Sequence, residues 1–229
     1  MNGLYELRCV KCRKVSDERR HYTNCSSCSS PLEVVMNYKI IEEKINHNAF
    51  RQVHISSLKY VDFYPINNHN KIISLGEGGT PLYHCKNLGK MLGMKNLFMK
   101  YEGANPTGAF KDRGTMVEIT KAIELGKKTV IVASSGNMAA SVSAYSAKAG
   151  LPTYVIVPQG TPVGKMSQTL AYGARVIQIR SDYDSAASIT KEIIYIRPSG
   201  REFFFPVARQ PNSCRGSGDA ALLPKLHFL

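Results

Sequence analysis

Thr129-Val130-Ile131-Val132-Ala133-Ser134-Ser135-Gly136-Asn137 decides the fold. The β-branched run Thr129 to Ala133 predicts a buried strand, Ser134 to Asn137 a turn, and the text beyond a helix that stops before Gly150-Leu151-Pro152. That helix is rich in small residues (Ala139, Ala140, Ser141, Ala144, Ala147), which lets it lie close on a sheet. Further along, Tyr154–Val157 and Arg175–Ile179 read as two more short strands. Upstream, a helix is predicted from Asp112 to Leu125, with Met116, Ile119 and Ile123 on one face and Gly126 as its stop. Strands that alternate with helices build βαβ units, so the expected class is α/β with a parallel sheet.

The same stretch points to chemistry. A strand that runs through a Ser/Gly turn into a helix offers free N–H groups to an anion, typically a phosphate or a carboxylate. Ser134, Ser135, Gly136 and Asn137 are the candidate binding residues, although Ser and Asn are also ordinary helix caps. Just before the upstream helix lies Asn105-Pro106-Thr107-Gly108-Ala109-Phe110-Lys111-Asp112-Arg113-Gly114. Asn-Pro and Thr-Gly signal turns, which puts Lys111 at the positive end of a helix dipole, where an ammonium is disfavoured. A lysine so placed is suited to Schiff-base chemistry, although a loop lysine taken alone is most often a solvated charge.

Near the N-terminus, Cys9-Val10-Lys11-Cys12 and Cys25-Ser26-Ser27-Cys28 form two Cys-x-x-Cys pairs separated by twelve residues. Each pair sits on a tight turn, and two such turns complete a tetrahedral four-sulfur site of the zinc-ribbon kind, closed and therefore structural. Residues 1–38 hold so few core residues that the metal would supply much of their folding energy. Cys85 and Cys214 stand alone and are read as ordinary thiols.

Apolar residues make up 43% of the 229-residue chain and charged residues 21%, ordinary for a soluble globular protein. No apolar run approaches a membrane span, and residues 1–10 lack the apolar centre of a secretory signal, so a cytoplasmic location is expected. The net charge of +13 raises the question of nucleic acid. Residues 1–38, however, hold six Lys/Arg against four Asp/Glu, a surplus of two, and the rest of the charge is diffuse. That distribution suits a small anionic ligand and disfavours nucleic acid.

Three segments follow from these readings: a zinc ribbon (1–38), an α/β body (39–196) and a tail (197–229). The body begins with a helix expected over Lys39 to Phe50 and a loop ending in Gly76-Glu77-Gly78-Gly79-Thr80-Pro81-Leu82. No coherent element can be assigned to the tail.

Taken together, the segment from Gly76 to Leu82, that from Asn105 to Gly114, and Ser134-Ser135-Gly136-Asn137-Met138-Ala139-Ala140-Ser141 resemble, in order and spacing, the motifs of the threonine synthase family. These are fold-type II enzymes dependent on pyridoxal 5'-phosphate, and some carry a Cys-x-x-Cys ribbon ahead of the catalytic body. The resemblance implies that Lys111 binds the cofactor as a Schiff base and then moves protons at the substrate's α and β carbons. It implies that Asn137 hydrogen-bonds the cofactor's 3-hydroxyl and that Ser134 to Asn137 hold the substrate carboxylate. The reaction it implies is that of a carbon–oxygen lyase acting on a phosphate ester, converting O-phosphohomoserine and water to threonine and phosphate. The ligand is then a small phosphorylated amino acid; the oligomeric state is left open.

Two positions depart from the family pattern. Ala109 and Met138 stand where Ser and Thr are common, and each lost hydrogen bond to an anion is worth about 1.5–3 kcal/mol. That keeps open a cysteate synthase-like replacement on phosphoserine, and a non-catalytic zinc-ribbon binding protein is the reading from another class. The family's Gly-rich phosphate loop, its hydroxyl residue near the pyridine nitrogen and its Asn-Pro segment with a phosphate-holding Arg do not occur between Arg197 and Leu229. The chain after residue 196 is therefore expected to be truncated or frame-altered.

Overall fold

A computed structural model describes residues 3–17, 24–45, 56–196 and 203–204. The N-terminal unit is a three-stranded antiparallel sheet of β1 (Tyr5–Cys9), β2 (Val15–Ser16) and β3 (Leu32–Met36), in the order β2-β1-β3. Period-two alternation turns Tyr5, Leu7 and Cys9 inward, where they meet Cys25 and Leu32. These five buried residues are the whole core of the unit among the described residues.

Next comes α1 (Tyr38–Lys44), shorter than the helix expected over Lys39 to Phe50. It buries only Ile41, too little packing to hold further turns, and Ile45 is already extended at φ −72°, ψ 119°. Residues 46–50 lie outside the described residues. After a 3-10 segment (Ser57–Phe63), the antiparallel pair β4 (Leu82–His84) and β5 (Phe98–Lys100) flanks the short α2 (Lys86–Met91). Leu82, Tyr83, Phe98 and Met99 are all exposed on this pair.

The body follows the predicted rhythm: α3 (Lys111–Glu124), β6 (Thr129–Ala133), α4 (Asn137–Lys148), β7 (Thr153–Pro158), α5 (Val163–Ala171), β8 (Arg175–Ile179) and α6 (Tyr183–Ile196). β6 and β8 have the bounds read from the sequence. Both helices predicted to end at glycine do so. After α3, Gly126 (φ +67°) lets its own N–H reach the Ile123 carbonyl and the Lys127 N–H reach that of Ala122. Gly150 closes α4 in the same way, and this paired bonding satisfies carbonyls that the helix end would otherwise orphan.

The sheet is parallel, in the order β8-β7-β6-β9, where β9 (Phe203–Phe204) pairs with Thr129 and Val130 of β6. This strand lies in the segment to which no element could be assigned from sequence. Two residues carry no periodicity, and only pairing with the β6 edge defines them as a strand. Alternation along β6 and β7 divides the core into two layers. Val130, Val132, Val155 and Val157 face Met116, Val117 and Ile119 of α3, Val142 and Tyr145 of α4, and Met166 of α5. Ile131, Ala133 and Ile156 face Ala186 of α6 on the other side. Among the described residues, no helix is long and apolar enough to cross a membrane.

α3 contains a local conflict. Glu118 lies two turns after Lys111, on the same helix face, is only 8% exposed, and has an Oε2 with no hydrogen-bond partner. Burial pushes its carboxyl up to about 7, against the opposing pull of the Lys111 charge. The folded chain thus favours the protonated form, a contribution fully present below about 4.5 and lost as pH rises through about 7. Glu118→Gln is expected to flatten this decline and to raise stability at pH 8 by about 1–3 kcal/mol. Denaturant titrations across that range measure it, and a variant with the wild-type slope would refute the assignment.

Candidate active site and candidate metal centre

Lys111 is the first residue of α3 and is half-buried, with its amine 4.7 Å from the centre of the exposed Phe110 ring. Among the described residues, no carboxylate lies within ion-pair distance of that amine. The turn before it is built by short bonds. Gly108, at φ +79°, donates its N–H to the Asn105 carbonyl at 2.8 Å, and the Asp112 carboxylate reaches back to the Thr107 N–H (2.7 Å) and hydroxyl (2.6 Å). Asp112 and Thr107 therefore brace the loop from which Lys111 projects.

The second element is the turn between β6 and α4. Ser134 and Ser135 are half-buried, and Gly136 and Asn137 are exposed. Gly136 occupies the cap position of α4, and no side chain caps this end of the helix. The first N–H groups of α4 therefore face an open turn, the arrangement that accepts an anion. Ser141, one helical turn beyond Asn137, donates its hydroxyl to Asp112 at 2.6 Å and lies 2.9 Å from the Thr115 hydroxyl. The two predicted elements, the lysine loop and the Ser134–Asn137 turn, are thus the N-terminal ends of neighbouring helices joined by a buried bond. Met138, one of the two departures noted above, packs its side chain against the core, and Ala109 is buried.

The third motif ties in from the other side. Arg113 grips Glu102 with two bonds of 2.7 and 2.9 Å and also reaches the Thr80 hydroxyl. The guanidinium, helped by Thr80 and Asn105, holds the Glu102 carboxyl down at about 2. Asn105 accepts the Gly78 N–H at 3.0 Å. Gly78 has φ +90°, and a Cβ there would sit 2.5 Å from the Ser57 backbone nitrogen, so only glycine fits. Glu77, fully buried, accepts from Ser57, Ser74, Leu75 and Tyr145.

Sequence reasoning missed the roles of Glu77, Glu102, Asp112 and Arg113. Glu77, Asp112 and Arg113 sit inside motifs quoted for other reasons, and Glu102 lies three residues before one of them. The available signal was acidic residues crowded among turn-forming residues, where a carboxylate commonly accepts backbone N–H groups.

At the N-terminus the four predicted ligands converge. The Sγ atoms of Cys9, Cys12, Cys25 and Cys28 lie within 4.8 Å of one another. The two Cys-x-x-Cys turns share one geometry. Cys9 N–H donates to the Lys14 carbonyl and Cys25 N–H to that of Ser30, both at 2.9 Å. Arg13 and Ser29, each just after the second cysteine of a pair, take left-handed φ values of 62° and 55°. Backbone N–H groups point at the sulfurs, from Lys11 and Cys12 to Cys9 and from Ser27 to Cys25, which stabilises thiolate charge. Donors on Ser30 bring the Cys28 thiol down to about 6. Four sulfurs around a common centre, reached by N–H donors, fit a tetrahedral metal ion.

A family model described as pyridoxal-phosphate dependent enzyme matches residues 73–207, which include the three motifs and extend beyond residue 196. The threonine synthase of Methanocaldococcus jannaschii is 44% identical over 187 residues, 81% of this chain and 46% of that protein. The threonine synthase of Methanosarcina acetivorans is 41% identical over 192 residues, 83% of this chain and 46% of that protein. The chain spans about half the length of these curated relatives. Among solved structures, the apo form of Escherichia coli diaminopropionate ammonia lyase shares the fold, with a TM-score of 0.52 and 21% identity over 71% of this chain and 48% of that one. By its matched residues and the fold they build, the chain belongs to the pyridoxal-phosphate dependent enzyme family.

Proposed function

We propose that this chain belongs to a threonine synthase-like lyase that acts in the cytoplasm on O-phosphohomoserine and water to give threonine and phosphate. The observation that carries the reading is the junction of two helix N-termini, one bearing an amine with no ion-pair partner and the other uncapped. An amine free of a carboxylate is suited to holding pyridoxal 5'-phosphate, and an uncapped helix end can hold a carboxylate. Lys111 and the start of α4 therefore fit the aldehyde side of the cofactor, which when bound supplies an electron sink for substrate carbanions. Lys111 would hold the cofactor and move protons at the substrate's α and β carbons. Asn137 would orient the cofactor ring. Ser134, Ser135 and Gly136, with the first N–H groups of α4, hold the substrate carboxylate.

Protein incubated with pyridoxal 5'-phosphate is expected to develop a visible absorbance band from lysine-bound cofactor, absent in Lys111→Ala. Phosphate release from O-phosphohomoserine should fall by about 10²–10⁴-fold in the same variant. A wild type that shows no band rules out cofactor binding by this chain. Turnover of phosphoserine with sulfite in place of O-phosphohomoserine would instead favour the cysteate synthase-like activity.

For the four cysteines we propose zinc, held in a closed structural site. Elemental analysis should find about one zinc per chain, and Cys9→Ser with Cys12→Ser should abolish it. Chelation is expected to unfold the β1–β3 sheet because structural zinc supplies about 10–16 kcal/mol in small zinc domains. Limited proteolysis reports the loss, and a metal-free protein with a protease-resistant N-terminal unit would contradict the proposal.

A further inference from the structure

We propose that Ser141 is a positioning residue for Lys111: through Asp112 it fixes where α3 begins relative to the anion-binding turn of α4. The inference rests on the reading of Lys111 as the cofactor-binding lysine and adds a residue that touches neither cofactor nor substrate. Asp112 is fully buried, and its carboxylate accepts from three donors. Two of them, the N–H and hydroxyl of Thr107, close the loop 107–112 into a ring from which Lys111 projects. The third, the Ser141 hydroxyl, comes from a different helix at 2.6 Å.

The geometry makes this third bond decisive. The Thr107 bonds set the shape of the loop, but they cannot set its place relative to α4, because both partners belong to the loop. Ser141 is itself fully buried, and it follows Asn137 by one helical turn. Its bond to Asp112 therefore spans the two helix ends that carry Lys111 and the Ser134–Asn137 turn. Its second contact, with Thr115 at 2.9 Å, places α4 one turn further along α3, so two points of attachment resist sliding of the helices. Removing the Ser141 hydroxyl would leave a buried carboxylate one donor short and free it to relax, carrying the neighbouring lysine with it. A displacement of about 1 Å at a reacting group can cost about 10²-fold in rate, so a small shift of Lys111 is measurable.

The test reads the position of Lys111 without requiring turnover. Protein is incubated with pyridoxal 5'-phosphate and reduced with borohydride, and the labelled lysines are mapped by mass spectrometry. The wild type is expected to carry the label at Lys111 in preference to its exposed lysines. Ser141→Ala should lower that preference by about tenfold while far-UV circular dichroism stays unchanged. Thr107→Val, which removes the other hydroxyl at constant shape, should act in the same direction, and Thr107→Ser, which keeps it, should restore the wild-type pattern. Wild-type selectivity in Ser141→Ala, whatever Thr107→Val does, would overturn the inference and leave the cofactor reading standing. Loss of selectivity in Thr107→Ser equal to that in Thr107→Val would also overturn it, because the hydroxyl would then be irrelevant. A wild type that labels its lysines indiscriminately removes the cofactor reading, and this inference with it.

Discussion

The Glu77 carboxylate is sealed from solvent, and the hydroxyls of Ser57, Ser74 and Tyr145 and the N–H of Leu75 all point at it. A carboxylate taken out of water costs several kcal/mol unless every lone pair finds a donor. Three separate stretches must therefore be in place together: the 3-10 segment that begins at Ser57, the loop 74–79 and the last turn of α4. Tyr145 matters most among the donors because it comes from the helix whose other end forms the Ser134–Asn137 turn. Burial and this bond push the Tyr145 hydroxyl well above the usual tyrosine range, so it stays a donor at any physiological pH. The Gly-rich loop is held to the body by this carboxylate, and Gly78 allows the Ser57 backbone to approach closely enough for it to form.

Around the candidate site the same logic is repeated. Asp112 binds the lysine loop to α4, and Glu102 binds Arg113 to Thr80 and Asn105. Each buried or half-buried acid is satisfied by donors from a second motif, so the three motifs form one braced unit. Lys111 and Asn137 stand at the margin of that unit with few partners of their own. The proposed ligand-binding groups are left with few partners, while the residues behind them are locked by packing and hydrogen bonds. Glu118 is the exception, a buried acid whose Oε2 has no partner.

Much of the fold was legible in the sequence because its signals are local. The β-branched runs at 129–133 and 175–179 became strands with those bounds, and Gly126 and Gly150 closed the helices they were expected to close. The four cysteines were legible for the same reason, since spacing alone puts two sulfurs on each turn, and the structure brings all four together. Less local features were not read. The first helix of the body stops at Lys44 because little of it is buried, and the strand at Phe203 exists only through pairing with β6.

By itself, then, the sequence determined the alternation of strands and helices, the turn ahead of α4, the lysine at the start of α3 and the four-sulfur cluster. Each depends on residue type and on separations of a few positions, which steric preference and periodicity convert directly into structure. Only the tertiary structure decided which acids brace the site and how the motifs meet. Glu77 and Tyr145 lie 68 positions apart and Asp112 and Ser141 lie 29 apart, so no local preference encodes either bond. These bonds form because packing the helices on the sheet buries the carboxylates, and a buried carboxylate must find its donors wherever the fold supplies them.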